Sequence, residues 1–97
     1  LFELFWTDRS RDDFRRLGED ASLHKRYRAV KKTLGLLAAN PRHPSPQTHE
    51  FTSLKGPTGE KVFVAYAEQG TPAAYRVFWY YGPTSKQLTI IAITPHP

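Results

Sequence analysis

The closing stretch of the chain, AAYRVFWYYGPTSKQLTIIAITPHP (residues 73–97), most restricts what it can fold into. It holds two runs rich in β-branched and aromatic residues, 75–81 and 88–93, joined by the turn chemistry of Gly82-Pro83-Thr84-Ser85. Runs of this kind, with so short a connection, predict antiparallel strands. A single cation, Arg76, interrupts the first run. A guanidinium in an otherwise apolar strand is either matched by a carboxylate or held ready for an outside anion. Glu68 or Glu60 of the adjoining hairpin is the internal candidate, and the sequence leaves the choice open.

The remainder supplies a partner layer for those strands. A strand is expected over residues 2–7 (FELFWT). A short helix follows, with Ser10 and Asp13 as a capping pair, Asp12 and Asp13 at the positive end of its dipole, and Gly18 as its stop. In the second helix Leu23, Tyr27, Val30, Leu34 and Leu37 recur at steps of four and three, an apolar stripe. Asp20 or Ser22 caps its start, Asn40-Pro41 ends it, and Gly35 inside it suggests close contact with a neighbour. Residues 41–46 (PRHPSP) read as a rigid extended connector. Strands are expected at 49–54 and 61–68 around a Gly56-Pro57-Thr58-Gly59 turn. The fold class is therefore α+β, β-α-α-β-β-β(-β), with a helical hairpin on one face of a small, mainly antiparallel sheet. At 97 residues the chain (1–97) is a single domain.

Composition narrows the function. With no Cys there is neither a disulfide framework nor a thiolate metal site, and no metal or cofactor is expected. No apolar run is long enough for a bilayer and nothing near Leu1 resembles a signal peptide, so a cytoplasmic protein without membrane contact is expected. A start at Leu1 with no Met in the chain fits a trimmed N-terminus. The net charge of +5 points to an anionic partner, nucleic acid first. Lys25, Arg28, Lys31 and Lys32 oppose the apolar stripe with no acid between them, and Arg42 follows in the connector. These five form the candidate nucleic-acid-binding set. A solvated helix face is the plainer alternative, but such faces usually mix signs.

Side chains alternate along a strand, so Tyr75, Val77, Trp79 and Tyr81 share one side while Arg76, Phe78 and Tyr80 share the other. Two short helices cover one side only, assigned here to Val77 and Trp79. The uncovered side then presents a cation among rings, a combination that suits a phosphate with stacked bases. It also leaves enough apolar sheet exposed to call for a protein partner, either a docked helix, an added strand or a second copy of the chain.

The ordered set of these elements resembles the RelE/ParE superfamily of bacterial type II toxins. The YRVFWY strand with its Arg, the helix ending LGLLAANP and the last strand running into ITPHP carry the likeness, from FELFWTDRSRDDFRRLGED onward. The resemblance implies a toxin neutralised by a protein antitoxin. The RelE/YoeB-like branch, favoured here, cuts messenger RNA on the ribosome; the ParE branch poisons DNA gyrase without a nuclease site. In the nuclease branch Arg76 matches the strand Arg that contacts the scissile phosphate. His96 resembles the C-terminal His of the YoeB-like members, although Pro97 stands where they have Tyr. Ser45 stands where those members have a carboxylate, which leaves His49 or His96 to move protons. Lys55 and Lys61 are the candidates for the RelE lysine pair, and Tyr80 for base stacking or as a weak acid. The implied reaction is metal-independent attack of a 2′-hydroxyl on its own 3′-phosphate.

Overall fold

A computed structural model describes residues 1–97. Five strands form one sheet: β1 (Glu3–Trp6), β2 (His49–Lys55), β3 (Lys61–Tyr66), β4 (Tyr75–Tyr81) and β5 (Gln87–Pro95). Their spatial order is β1-β5-β4-β3-β2, so the closing hairpin β4–β5 sits inside the sheet while β1 and β2 form its edges. Every neighbouring pair is antiparallel except β1 with β5, which is parallel. Helices α1 (Asp8–Glu19) and α2 (His24–Ala39) pack on one face, giving the expected α+β architecture with one strand more than the four-stranded minimum.

The covered face is the one assigned from alternation. Val77 and Trp79 join Leu88, Ile90 and Ile93 of β5 under Val30, Leu34 and Leu37 of α2 and Leu17 of α1. Trp79 is 1 % exposed, and Phe63 stacks on its ring at 5.0 Å. The uncovered face is drier than alternation suggested. Val62, Val64 and Phe78 are buried there, with Phe51, Tyr66, Ile91 and Ala92 packed around them and Phe51 edge-on to Phe78 at 5.0 Å. The broad apolar surface expected to demand a partner is thus largely closed by its own side chains.

Several boundaries differ from expectation for local reasons. Helix α1 starts a turn earlier, because Thr7 is its cap and Ser10 is the third residue of a capping box. Ser10, fully buried, also donates its hydroxyl to the Ile90 carbonyl at 2.7 Å, and the Thr7 hydroxyl donates to Ile91 O at 2.9 Å. These bonds occupy carbonyls at a β-bulge, where the register of β4 against β5 shifts between Phe78 and Trp79 and leaves Ile91 without a partner residue. Asp12 and Asp13 therefore lie in the second turn and serve other ends. Asp12 pairs with Arg15 and Arg16, while Asp13 accepts from the Ile93 N–H at 2.9 Å. Gly18 does not stop the helix. A Cβ there would stand 2.8 Å from the Tyr27 ring, so its bareness lets α1 approach α2. Gly35, by contrast, has nothing within 4 Å of such a Cβ, so it makes no close contact.

Before α2 a short 3₁₀ turn (Ala21–Leu23) is capped by Asp20, whose carboxylate accepts from the Ser22 N–H at 2.9 Å. After α2 the proline-rich connector is not extended but a succession of turns. The Asn40 side chain accepts from Arg42 N at 3.0 Å, Asn40 O from His43 N at 2.9 Å, and Pro44 O from Gln47 N at 3.0 Å. Asn starts such side-chain-closed turns readily, and proline's fixed φ fits their corners as well as it fits an extended chain.

Candidate functional site

Arg76 lies in β4 opposite Tyr66 of β3 and Thr94 of β5. Neither carboxylate offered by the sequence reaches it. Glu68 is taken by Arg26 at 3.4 Å and by the Tyr75 N–H at 3.0 Å, and Glu60 by Thr58. No ion pair in the structure involves Arg76. Its guanidinium instead lies over the Phe78 ring, 4.8 Å from the centroid. Its Nε is buried without a hydrogen-bond partner. A charged donor left in that state costs free energy.

At this level Tyr66 of β3 pairs with Arg76, and His49 of β2, in register with Val64, reaches Tyr66 diagonally. The His49 ring stacks over Tyr66 at 5.8 Å and 26°, and Tyr66 sits directly beside Arg76. Tyr66 did not emerge from the sequence as a site residue. The alternation of Val62, Val64 and Tyr66 along β3 puts it on this side, but only the hairpin register brings it level with Arg76. His96 follows β5 two residues beyond Thr94. Its backbone N–H donates to Ala74 O at 2.8 Å, and its exposed ring carries Nδ1 2.9 Å from Pro97 O.

Other candidates fall elsewhere. Lys55 and Lys61 face each other across the far end of the β2–β3 hairpin, and Lys55 is paired with Glu50 at 3.7 Å. Lys61 is five residues along β3 from Tyr66, roughly 16 Å, and has the opposite side-chain parity. Neither lysine assists Arg76. Tyr80 shares the Arg76 face but lies roughly 13 Å along β4, with Phe78 between them. That separation is too long for Tyr80 and Arg76 to contact one small group together. Ser45 is exposed in the connector, its N–H donating to His43 Nδ1 at 3.0 Å.

Lys25, Arg28, Lys31 and Lys32 form no ion pair, whereas Arg26 is bound by Glu68 and by the carbonyls of Ala73 and Pro72. The four lie on α2, in the layer opposite Arg76, and border open hollows of about 470 Å³. One nucleic-acid strand cannot lie flat on both surfaces. Arg42 belongs to neither. It lines a cleft of about 550 Å³ between the connector and the aromatic end of the covered face, where Phe63, Trp79 and Tyr81 form the wall. No cluster of three metal-ligating side chains is present.

No protein-family model and no curated protein matches the sequence. Solved structures do match. A YoeB/ParE toxin from Agrobacterium tumefaciens superposes with a TM-score of 0.72 over 99% of this chain and 100% of that one, at 16% identity. The fold is that of the RelE/YoeB toxins. A YoeB dimer from Staphylococcus aureus gives a TM-score of 0.69 over 99% of this chain and 98% of that one, at 9% identity. The toxin–antitoxin complex RelBE of E. coli gives 0.62 over 100% and 99%, at 11% identity. The RelE/YoeB fold is thus reached at identities too low for function to follow from the likeness alone.

Proposed function

We propose that this chain is the toxin of a toxin–antitoxin pair and acts as a ribosome-dependent endoribonuclease on messenger RNA. The observation that carries the proposal is the unpaired Arg76 with its orphaned Nε, beside Tyr66 and His49 on the uncovered face of a RelE/YoeB fold. The 2′-hydroxyl of the target nucleotide attacks its own 3′-phosphate, and the 5′-oxygen of the next nucleotide leaves. The products are a 2′,3′-cyclic phosphate and a 5′-hydroxyl. Arg76 binds the phosphate and stabilises the charge that grows on it in the transition state. His49 or His96 takes the proton from the attacking hydroxyl or returns one to the leaving oxygen, since imidazole titrates near neutrality. The step needs no metal. The basic face of α2 is suited to ribosomal RNA while messenger RNA lies on the opposite side. A protein antitoxin is the expected neutralising partner, in line with the RelBE neighbour; the dimeric YoeB neighbour raises self-association as a second assembly.

In a translation extract, primer extension should show cuts inside translated codons. Arg76→Ala should reduce cleavage about 10²–10³-fold with its circular dichroism unchanged. Full cleavage by a folded Arg76→Ala protein would refute the site. A gyrase-directed toxin is the second reading, favoured by Ser45 standing where the nuclease branch has a carboxylate. It predicts intact messenger RNA together with filamentous cells and a DNA-damage response.

A further inference from the structure

Only three buried side-chain polar atoms in this chain lack a hydrogen-bond partner: Arg76 Nε, Trp79 Nε1 and Thr48 Oγ1. The first belongs to the uncovered face. The other two belong to residues that line the cleft of about 550 Å³ under the connector. A buried donor without an acceptor costs about 1–3 kcal/mol, and folded chains rarely keep one without a reason. Trp79 is 1 % exposed and packed on Phe63, so its idle N–H invites an explanation.

The rest of the cleft indicates what would use these groups. Its wall is aromatic: Phe63 is stacked on Trp79, and Tyr81, 39 % exposed, stands edge-on to Trp79 at 4.9 Å. Such a wall suits a flat ring. Its mouth is cationic, with Arg42 exposed and His43 beside it, and none of the ten lining residues is a carboxylate. His43 Nδ1 accepts from the Ser45 N–H, so the neutral ring carries its proton on Nε2 and adds a donor. Donors at the mouth and in the wall, aromatic surface between them and no acid nearby match a planar heterocycle bearing a phosphate. The volume lies within the range for small-molecule sites.

We propose that this cleft is a nucleotide-binding site, taking a nucleoside monophosphate with its phosphate at Arg42 and His43 and its base against the Phe63–Trp79–Tyr81 wall. The site is separate from Arg76 and does not depend on whether Arg76 acts on RNA. Only His49 touches both regions, since it lines the cleft and also stacks on Tyr66.

The chain has two tryptophans, so its ¹⁵N–¹H spectrum carries two indole signals, which Trp6→Phe assigns. Titration with adenosine and uridine 5′-monophosphates should move the Trp79 signal saturably. Ribose 5-phosphate, which lacks the base, should bind at least about tenfold more weakly. Arg42→Ala, an exposed position, should weaken binding about tenfold, and Thr48→Val should weaken it without lowering the melting temperature. Arg76→Ala should bind as the unaltered protein does. The proposal is overturned if the Trp79 signal stays still at millimolar nucleotide, or if ribose 5-phosphate binds as tightly as the nucleotides. It is equally overturned if Arg76→Ala abolishes the response, or if an acidic peptide carrying one aromatic residue displaces the signal where nucleotides do not. Loss of messenger-RNA cleavage in Arg76→Ala with this titration intact would separate the two sites.

Discussion

The two faces of the sheet bury their apolar residues by different means. On the covered face Val30, Leu34 and Leu37 of α2 close over Val77, Leu88 and Ile90. On the other face Val62, Val64 and Phe78 are closed only by neighbouring strand residues, and a guanidinium lies across one of the rings. The first arrangement resists change because two elements would have to separate to relieve it. The second can yield locally, which lets it hold a charged group that has no ion pair. Helix packing and the unpaired cation thus lie on two sides of one five-stranded layer.

That division can be tested by stability measurements, beginning where the effect is largest. Leu37→Ala empties a fully buried position beneath α2 and should cost about 2–5 kcal/mol in urea unfolding. A loss below about 1 kcal/mol would mean that α2 is not clamped to the sheet. Val62→Ala, equally buried on the other face, should cost about 1–2 kcal/mol, because the strand side chains around it can settle inward. Equal losses at Val62 and at Val77 would erase the distinction. Arg76→Leu should change stability by less than about 1 kcal/mol in either direction, since it removes an orphaned donor and keeps the apolar stem's contact. A large loss would assign Arg76 to the scaffold.

The smallest effect concerns pH. The Glu60 carboxyl is held below its ordinary value of 4.5, chiefly by the Thr58 hydroxyl and then by the Thr58 N–H. A lowered acid stabilises the fold above its unfolded value, and that contribution disappears as pH falls through the folded value. The β2–β3 turn should therefore loosen only in acid below 4.5, seen as faster amide exchange at Thr58, with both sheet faces unaffected.

Much of this arrangement was legible in the sequence where the rule was local. Alternation placed Val77 and Trp79 under the helices and Arg76 on the opposite side, and the spacing of Tyr27, Val30, Leu34 and Leu37 gave α2. What was not legible depended on contacts distant in the chain. Thr7 rather than Ser10 caps α1, because both hydroxyls answer carbonyls of β5, 84 and 80 residues away. Asp13 answers the Ile93 N–H over a similar separation. Tyr66 joined the site through hairpin register, and Lys55 and Lys61 left it for the same reason. The connector misled because proline suits both an extended chain and a turn, and only the Asn40 side chain chose between them.

The helices also divide their charges unequally. Arg9, Arg11, Arg15 and Arg16 of α1 each meet an acid on their own helix, and Arg15 is held above its ordinary value by Asp12 and then Glu19. The cations of α2, apart from Arg26, meet none. Salt should accordingly weaken any RNA binding by the α2 face steeply and leave α1 unmoved.

The unmatched Ile91 works as a frameshift in the last strand. Counted in twos from Ile90, residues 92, 94 and 96 would all point under the helices. One surplus residue reverses that parity, so Ala92 emerges beside Phe78 and Thr94 beside Arg76. Removing Ile91 would leave the residues that follow it unchanged yet turn Thr94 away from the guanidinium.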